Sequence, residues 1–484
     1  MSDTDSQTVF VRHQMLDPQL APVTERGAVK WMRENLFSGT FNTILTLLGI
    51  GAVYYLVSAS LPWLLNGVWN ANSLSECRQI IADNGGTTGA CWALIKARWH
   101  QFLFGFYPQD SYWRPVLAFG LLFVALAPVL YWNDRKGAIM VAVSGVLTVL
   151  AMIGLSSPGT VDLFTIVLMA ALFALAWVMP KKLVLVTLVY PFVAFFLLWG
   201  GPIAGPISVL LGLAAAAWLV MALQPRIGSI LATILAVVAV ALLFLGPYPL
   251  TSLLSSALQT VTGWGLPAVN SDQFGGFLLA FVIGITSISF SLPIGVILAL
   301  GRQSDMFLVK TLSVGFIEFI RGVPLITLLF TASLLLQYFL PPQTNFDLIL
   351  RVIILATLFS AAYLAEVIRG GLAALPRGQY EASDALGLNY WQAQRLIIMP
   401  QALKISIPGI VSTFIGLFKD TTLVSFVGLL DPLRGVTTIV RADINWKGIY
   451  WEPYIFVGVI FFVICFGMSR YSMYLERKLK TDHR

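Results

Sequence analysis

The sequence predicts an all-α polytopic membrane protein of about twelve transmembrane helices. Apolar residues make up 58% of the 484 and charged residues only 11%, against roughly 25% charged in soluble domains. Mean hydropathy is +0.83. Between Lys136 and Asp272 the only intervening charges are Asp162, Lys181, Lys182 and Arg226. Apolar stretches of about 18 to 24 residues, bounded by such small charged turns, match a hydrocarbon core of about 30 Å.

Taken in order, apolar windows predict spans near 41–65, 115–132, 138–156, 163–180, 183–200, 207–223, 228–246, 276–300, 316–340, 348–368, 403–428 and 453–472. Each is helical because backbone polar groups in lipid must be satisfied within the segment. Twelve spans put both termini on one side. With that side cytoplasmic, Arg12, Arg26, Lys30, Arg33, Arg135, Lys136, Lys181, Lys182, Arg226, Arg302, Lys310, Arg377, Arg395, Arg477, Lys478 and Lys480 all lie inside, while the outer turns at 157–162 and 201–206 hold no lysine or arginine. The long outer loop near 66–114 carries Arg78, Lys96, Arg98 and Arg114, but basic residues weigh less in long loops. Residues 1–40 mix acids and bases without a signal-peptide core and cleavage site, so they read as a retained cytoplasmic tail.

The stretch 251–275, rich in Ser, Thr, Gly and Pro, divides the chain. Before it, 41–250 is nearly featureless Ala, Leu and Val. After it, 276–484 carries embedded charges and polar runs, and function is expected there.

Several chemistries are absent. No Gly-x-x-x-x-Gly-Lys-Ser/Thr loop occurs, so ATP cannot be cradled in the P-loop manner by this chain. His13, His100 and His483 lie in a tail, a loop and the other tail, which is no grouping for a metal or a base–nucleophile pair. No catalytic residue or resident metal is therefore expected in this chain. No nucleic-acid partner is expected either, because the net +7 charge sits at the ends of apolar segments and not on one soluble face. Cys77 and Cys91 share the outer loop. They read either as a disulfide in an oxidising compartment or as two unpaired thiols.

Residues 381–400 form a polar, turn-centred stretch between two apolar runs. Glu381 to Leu386 favours a helix, and Gly387 can end it in the left-handed conformation. Asn389 with Gln392 makes a capping-box pattern for a second helix, to which Leu396, Ile397 and Met399 give an apolar face and which Pro400 ends. Such a hairpin serves either to lie on lipid headgroups or to dock a soluble partner.

The spacing Glu381-Ala382-Ser383, Gly387, Ile397, Met399-Pro400 resembles the EAA loop of ABC importer permeases, with Ser383 and Met399 as mild departures. Phe316 to Leu325, Glu366 to Gly371, Gly378-Gln379 and Lys419 to Ser425 are similar to the polar amino acid permeases. The resemblance covers about 272–484. The extra spans and long outer loop resemble the longer, M-type subunit of general L-amino acid or glutamate/glutamine/aspartate/asparagine importers. It implies a five-helix permease core at 276–484 in a bacterial inner membrane, with the loop at 381–400 coupled to an ATPase. Implied partners are a second permease subunit, an ABC ATPase dimer that binds ATP and Mg, and a periplasmic amino-acid-binding protein. An ion-coupled secondary amino acid transporter is the competing class, and a membrane scaffold that moves no solute is a third.

Two Glu-x-x-Arg-Gly runs place Glu318 with Arg321 and Glu366 with Arg369 on one helical face each. Both pairs fall at the cytoplasmic boundary, as interfacial snorkelling charges or as a gate or brace for the hairpin. Lys419 and Asp420, followed by Thr421, Thr422 and Ser425, carry charge toward the membrane interior, either as an ion pair at a helix break or as contacts for a zwitterionic substrate. Ser287, Ser289 and Ser291 cannot share one face and read as packing residues. Pro293, Gly295, Gly322 and Pro324 are positions where helices are expected to loosen.

Overall fold

The structure, a computed structural model, describes residues 27–132, 134–155, 160–228, 265–339 and 347–479, with isolated positions between 231 and 256. It is built of helices. Two compact units divide at Ala93. The first holds α1 (Gly27–Asn35), α2 (Thr40–Leu65) and α3 (Leu74–Asp83). Within it the Cys77–Cys91 disulfide closes the loop after α2, with Cα atoms 6.0 Å apart, and Trp92 stacks on Trp69 at 5.6 Å.

The second unit begins with α4 (Ala93–Phe104), then α5 (Trp113–Leu130), α6 (Arg135–Leu155), α7 (Thr160–Val178), α8 (Val184–Trp199) and α9 (Ala204–Ile227). It continues with α10 (Gly276–Gln303), α11 (Phe307–Gly322), α12 (Leu325–Phe339), α13 (Leu348–Ala373), α14 (Arg377–Ala385), α15 (Tyr390–Ala393), α16 (Met399–Asp420), α17 (Pro432–Ala442) and α18 (Trp451–Leu479). Two-residue strands β1 (Gly201–Pro202) and β2 (Gly265–Leu266) pair antiparallel.

Among the described residues nine helical segments are long and apolar enough to cross a membrane, and the bent pair α11–α12 makes a tenth. Asp162–Val178 is a shorter apolar helix. Most of the expected span at 228–246 and of the stretch 251–264 lies outside the described residues.

One expected span is not a simple crossing. The window 316–340 spans two helices that meet at 103°. Val323 between them is extended, with φ −110° and ψ 132°, the conformation that a following proline, here Pro324, enforces. Gly322 and Pro324 therefore sit at a true break. Gly295 does the opposite: α10 runs unbroken past Pro293, and a Cβ on Gly295 would lie 2.8 Å from Leu364 Cβ. That glycine lets α10 and α13 approach, so its role is contact and not loosening.

The core is built around α10, α13, α16 and α18. Phe281, Phe418, Phe461 and Phe277 form a chain of ring contacts at 5.6, 5.5 and 5.1 Å that ties α10, α16 and α18. Ser287 and Ser291 are buried, and Ser287 donates to the Ile353 carbonyl. Ser289, on another face, donates to Ile285 of its own helix. The preceding bundle is keyed to this core at both ends of α5. Near its start Arg114 Nη1 donates to the Pro267 carbonyl at 2.7 Å, midway Phe119 meets Phe281 at 4.9 Å, and at its end the Tyr471 hydroxyl donates to Leu130 at 2.6 Å.

Candidate functional site

The hairpin folds as its residues dictate up to one point. After α14, Gly387 adopts φ +68°. Its N–H bonds the Asp384 carbonyl at 2.9 Å and that of Leu388 bonds Ser383 at 3.2 Å, the paired bonds that satisfy a helix C-terminus. Asn389 then caps α15: its side chain accepts from Gln392 N–H at 2.9 Å, and Asn389 N–H donates back to Gln392 Oε1 at 3.1 Å.

Pro400 does not end the unit. Helix continues from Tyr390 through Asp420, with a π turn over Gln394–Ile398. Proline has no N–H to give to the preceding turn, and here it follows directly on the widened turn, as the second residue of the α-helical stretch Met399–Asp420. The widened turn also changes the buried face. Ala393, Gln394, Ile398 and Met399 are buried, while Leu396, expected on the apolar face, is 64% exposed.

The root of the hairpin is thereby packed into the bundle. Ile398, Met399 and Ala402 join Ile317, Leu364, Ile368 and Leu372 in one apolar cluster, with Tyr380 and Ile397 against it. Ser383 is buried and donates to the Tyr380 carbonyl. The tip is bare: Glu381, Ala382 and Gly387 are exposed, as are Leu386 (72%) and Trp391 (71%).

Behind the root, the four charged residues singled out from the sequence meet through a fifth, Arg302. Its Nη1 bonds Glu318 Oε1 at 2.8 Å and lies 3.3 Å from Glu366 Oε2. Glu366 also accepts from Arg369 Nε at 2.7 Å and lies 3.8 Å from Arg321 Nη1. The expected pair Glu366–Arg369 forms. Among the described residues Glu318 pairs with Arg302 and not with Arg321, whose guanidinium stands 5.6 Å from the Tyr363 ring. Arg302 had no sequence signal beyond its place at a helix end, because the contact depends on α10 and α13 ending side by side.

Lys419 and Asp420 end α16 at its other extremity, where the chain tightens into a 3-10 turn over Thr421–Val427. Thr421 is buried and donates to Phe418, Thr422 to Lys419, and Ser425 to Thr422. These hydroxyl protons are spent on their own backbone, which leaves only oxygen lone pairs for a ligand. At the same end, a cleft of about 590 Å³ lies between Asn270–Phe274, Asp347–Ile349 and Gly428–Thr438, with Asp272, Asp347 and Arg434 on its wall. Asp347 also caps α13, accepting from Ile349 and Leu350. Helix α17 beside it, capped by Asp431, is too short and too polar to register in the sequence as a span.

A family model described as "binding-protein-dependent transport system inner membrane component" matches residues 291–481. The chain is 61% identical over 481 residues to the glutamate/glutamine/aspartate/asparagine transport system permease protein BztC of Rhodobacter capsulatus, covering 99% of this chain and 100% of that one. It is 33% identical to the inner membrane amino-acid ABC transporter permease protein YhdY of Escherichia coli K12, over 96% of each. A crystal structure of "an amino acid ABC transporter with histidines" matches at 27% identity and TM-score 0.38, covering 47% of this chain and 97% of that chain. Full-length identity of this order leaves no room for the secondary-transporter alternative, and the chain belongs to the binding-protein-dependent transport system inner membrane components, as a permease subunit of an ABC importer.

Proposed function

We propose that this chain imports L-amino acids of the acidic and amide kind across a bacterial inner membrane, with both termini and the hairpin at 381–400 on the cytoplasmic side. The observation that carries the coupling assignment is the hairpin's division into a packed root and a bare tip. Leu386 and Trp391 project where a soluble partner can cover them, while Ile398 and Met399 are set in the apolar cluster of α13 and α16. A push on the tip is therefore delivered to helices and not absorbed by a loose loop. The hairpin receives the ATPase, whose two copies bind ATP and Mg.

In this reading Glu381, Ala382, Gly387, Ile397 and Pro400 shape the coupling element, and Ser383 holds it to its root. Glu318, Arg321, Glu366 and Arg369, joined by Arg302, brace it against α10, α11 and α13. Lys419, Asp420, Thr421 and Thr422 border the substrate path at the far end of α16. Residues 276–484 are the permease core, 41–250 an accessory region, and a second permease subunit completes the path. A periplasmic amino-acid-binding protein delivers substrate to the far side.

The test is reconstitution of the chain with its co-purifying partners in proteoliposomes. Uptake of glutamate, glutamine, aspartate or asparagine that requires ATP inside and a binding protein outside is expected. Uptake driven by an ion gradient, or a complex that accumulates none of these, overturns the reading.

A further inference from the structure

At the end of the core opposite the hairpin, the cleft of about 590 Å³ carries charge of both signs that the chain does not neutralise. Asp272, Asp347 and Arg434 all line it. Among the described residues none of the three forms an ion pair. Asp347 Oδ1 accepts from the N–H groups of Ile349 and Leu350. Arg434 Nη1 donates to the Ser425 carbonyl at 2.8 Å, which orients the guanidinium and leaves its other N–H groups for a ligand. The Asp272 carboxylate accepts no hydrogen bond among the described residues. An acid and an arginine that share a cleft without meeting are both satisfied by one ligand that bears an ammonium and a carboxylate.

The cleft has a fixed frame. Three stretches of backbone meet at its wall: Gly105 pairs with Phe274 and Gly275 with Leu430 as isolated bridges, and Gly276 N–H donates to the Leu430 carbonyl at 2.8 Å. Gly105 and Gly275 touch so closely that a Cβ on Gly105 would strike Gly275 Cα. Phe106, the next residue of the accessory region, is 54% exposed and lines the cleft. Phe274, Ile349 and Leu429 are buried and give it an apolar floor. On α17 the Asp431 side chain accepts from the N–H groups of Leu433 and Arg434, which fixes the start of the helix that carries Arg434 and Thr438. Small-molecule sites of about 300 to 1,000 Å³ combine such an apolar lining with a few placed polar groups.

We propose that this cleft is an entry site for a free α-amino acid, with Arg434 taking the carboxylate, Asp272 the ammonium, and Asn270, Ser271 and Thr438 facing the side chain. The inference rests on the reading of the chain as an amino acid importer and adds to it a site that the accessory region helps to build through Phe106. Asp347 leaves the wall with one more negative charge than positive, so a neutral amide side chain is favoured over a carboxylate. Exposure of Asp272 and Arg434 to water keeps the affinity low. Low affinity suits a transit site, which must bind well enough to admit a solute and weakly enough to pass it on.

The test is equilibrium binding of radiolabelled glutamine to the permease–ATPase complex in nanodiscs, without binding protein, beside an uptake assay in proteoliposomes. Wild type should bind saturably with a Kd of about 1 mM, and Arg434→Gln and Asp272→Asn should each weaken binding by about tenfold. Lys310→Gln, a charge change on an exposed helix face, should leave it unchanged. Glutaramate, which is glutamine without its ammonium, separates contact from mere folding. Wild type should bind it about tenfold more weakly than glutamine, and Asp272→Asn should bind the two alike. Where Asp272→Asn fails to assemble, Arg434→Gln is read in its place against 4-aminobutanamide, which lacks the carboxylate. Equal preference for glutamine in wild type and variant overturns the proposal, as does a wild-type complex that takes up glutamine yet binds none at about 10 mM. A wild-type complex that takes up no amino acid counts against the transport reading, and the binding titration still decides the cleft.

Discussion

Arg302 and Glu366 lock the ends of α10 and α13 together: Nη1 of the arginine lies 3.3 Å from Oε2 of the glutamate and 2.8 Å from Oε1 of Glu318. One guanidinium thus spans three helices. Glu366 answers with Arg369 on its own helix and Arg321 on α11. The side chains are 22% to 55% exposed, so water screens each pair and the value of the group lies in geometry more than in raw stability.

Glu366→Gln keeps the shape and removes the charge that three arginines share. The variant should fold and insert, lose about 1 kcal/mol of stability, and lose up to about tenfold of binding-protein-stimulated ATP hydrolysis. Arg302→Gln should do much the same, and the double variant little more, because both act on one network. Strictly additive effects in that cycle would show that the two residues anchor their helices separately.

At the hairpin turn, Gly387 has φ +68° and nothing within 4 Å of an added Cβ. Crowding is therefore not the obstacle; backbone conformation is. Gly387→Ala should cost about 1 kcal/mol, with asparagine cheaper and valine dearer. ATPase co-purification and stimulated hydrolysis should decline in the order Gly, Asn, Ala, Val. Wild-type coupling in the valine variant would remove the turn from the coupling pathway.

Gly370 and Gly371 offer a matched pair on α13. A Cβ at Gly370 meets nothing, whereas one at Gly371 would strike Ser406 Oγ and lie 2.5 Å from the Ala402 carbonyl. Gly371→Ala should separate α13 from α16 and destabilise by about 1 to 3 kcal/mol. Gly370→Ala should be neutral or slightly stabilising. Thermal unfolding of the two purified variants, read by tryptophan fluorescence, tests the contrast.

Asp431 is fully buried at the start of α17. Burial pushes its carboxyl up from an ordinary 3.8 to about 6, against backbone N–H bonds from Leu433 and Arg434 and the Arg434 charge, all of which pull it down. The folded carboxyl binds protons more tightly than the unfolded one. Its contribution to stability is thus complete below about pH 4 and lost as pH rises through about 6, roughly 2 to 3 kcal/mol in all. Asp431→Asn retains a capping oxygen and should abolish this dependence. Melting of both proteins at pH 4.5 and pH 7 in detergent decides it: an unchanged gap between them at the two values excludes the desolvated carboxylate.

The sidedness is open to a labelling experiment. In a chain with Cys465 replaced, Asn84→Cys in the exposed loop segment after α3 should react with an impermeant maleimide on intact cells. Leu386→Cys at the hairpin tip should react only after permeabilisation. Labelling of Leu386→Cys on intact cells would invert the topology.

Much of this molecule is local and was readable as such. The turn at Gly387 and the capping box of Asn389 and Gln392 depend on residues within one or two turns of each other, and both form as their sequence dictates. Cys77 and Cys91 join within one loop. The misjudged points involve longer reach. Pro400 reads locally as a terminator, because a proline's neighbours alone do not reveal that helix runs through it behind a π turn. Gly295 reads locally as a loosening residue, because Leu364, which its missing side chain admits, lies on another helix.

By itself the sequence determined the membrane class, the order of most spans, the polar hairpin and the family, since hydropathy, capping and motif spacing act over short stretches of chain. Tertiary structure alone decided that Arg302 completes the charged group, that Ile398 and Met399 root the hairpin, and that α11 and α12 break at 103°. Ion pairing and packing depend on which helix ends come side by side, and that is set by the summed fit of whole helices, a property no local window contains.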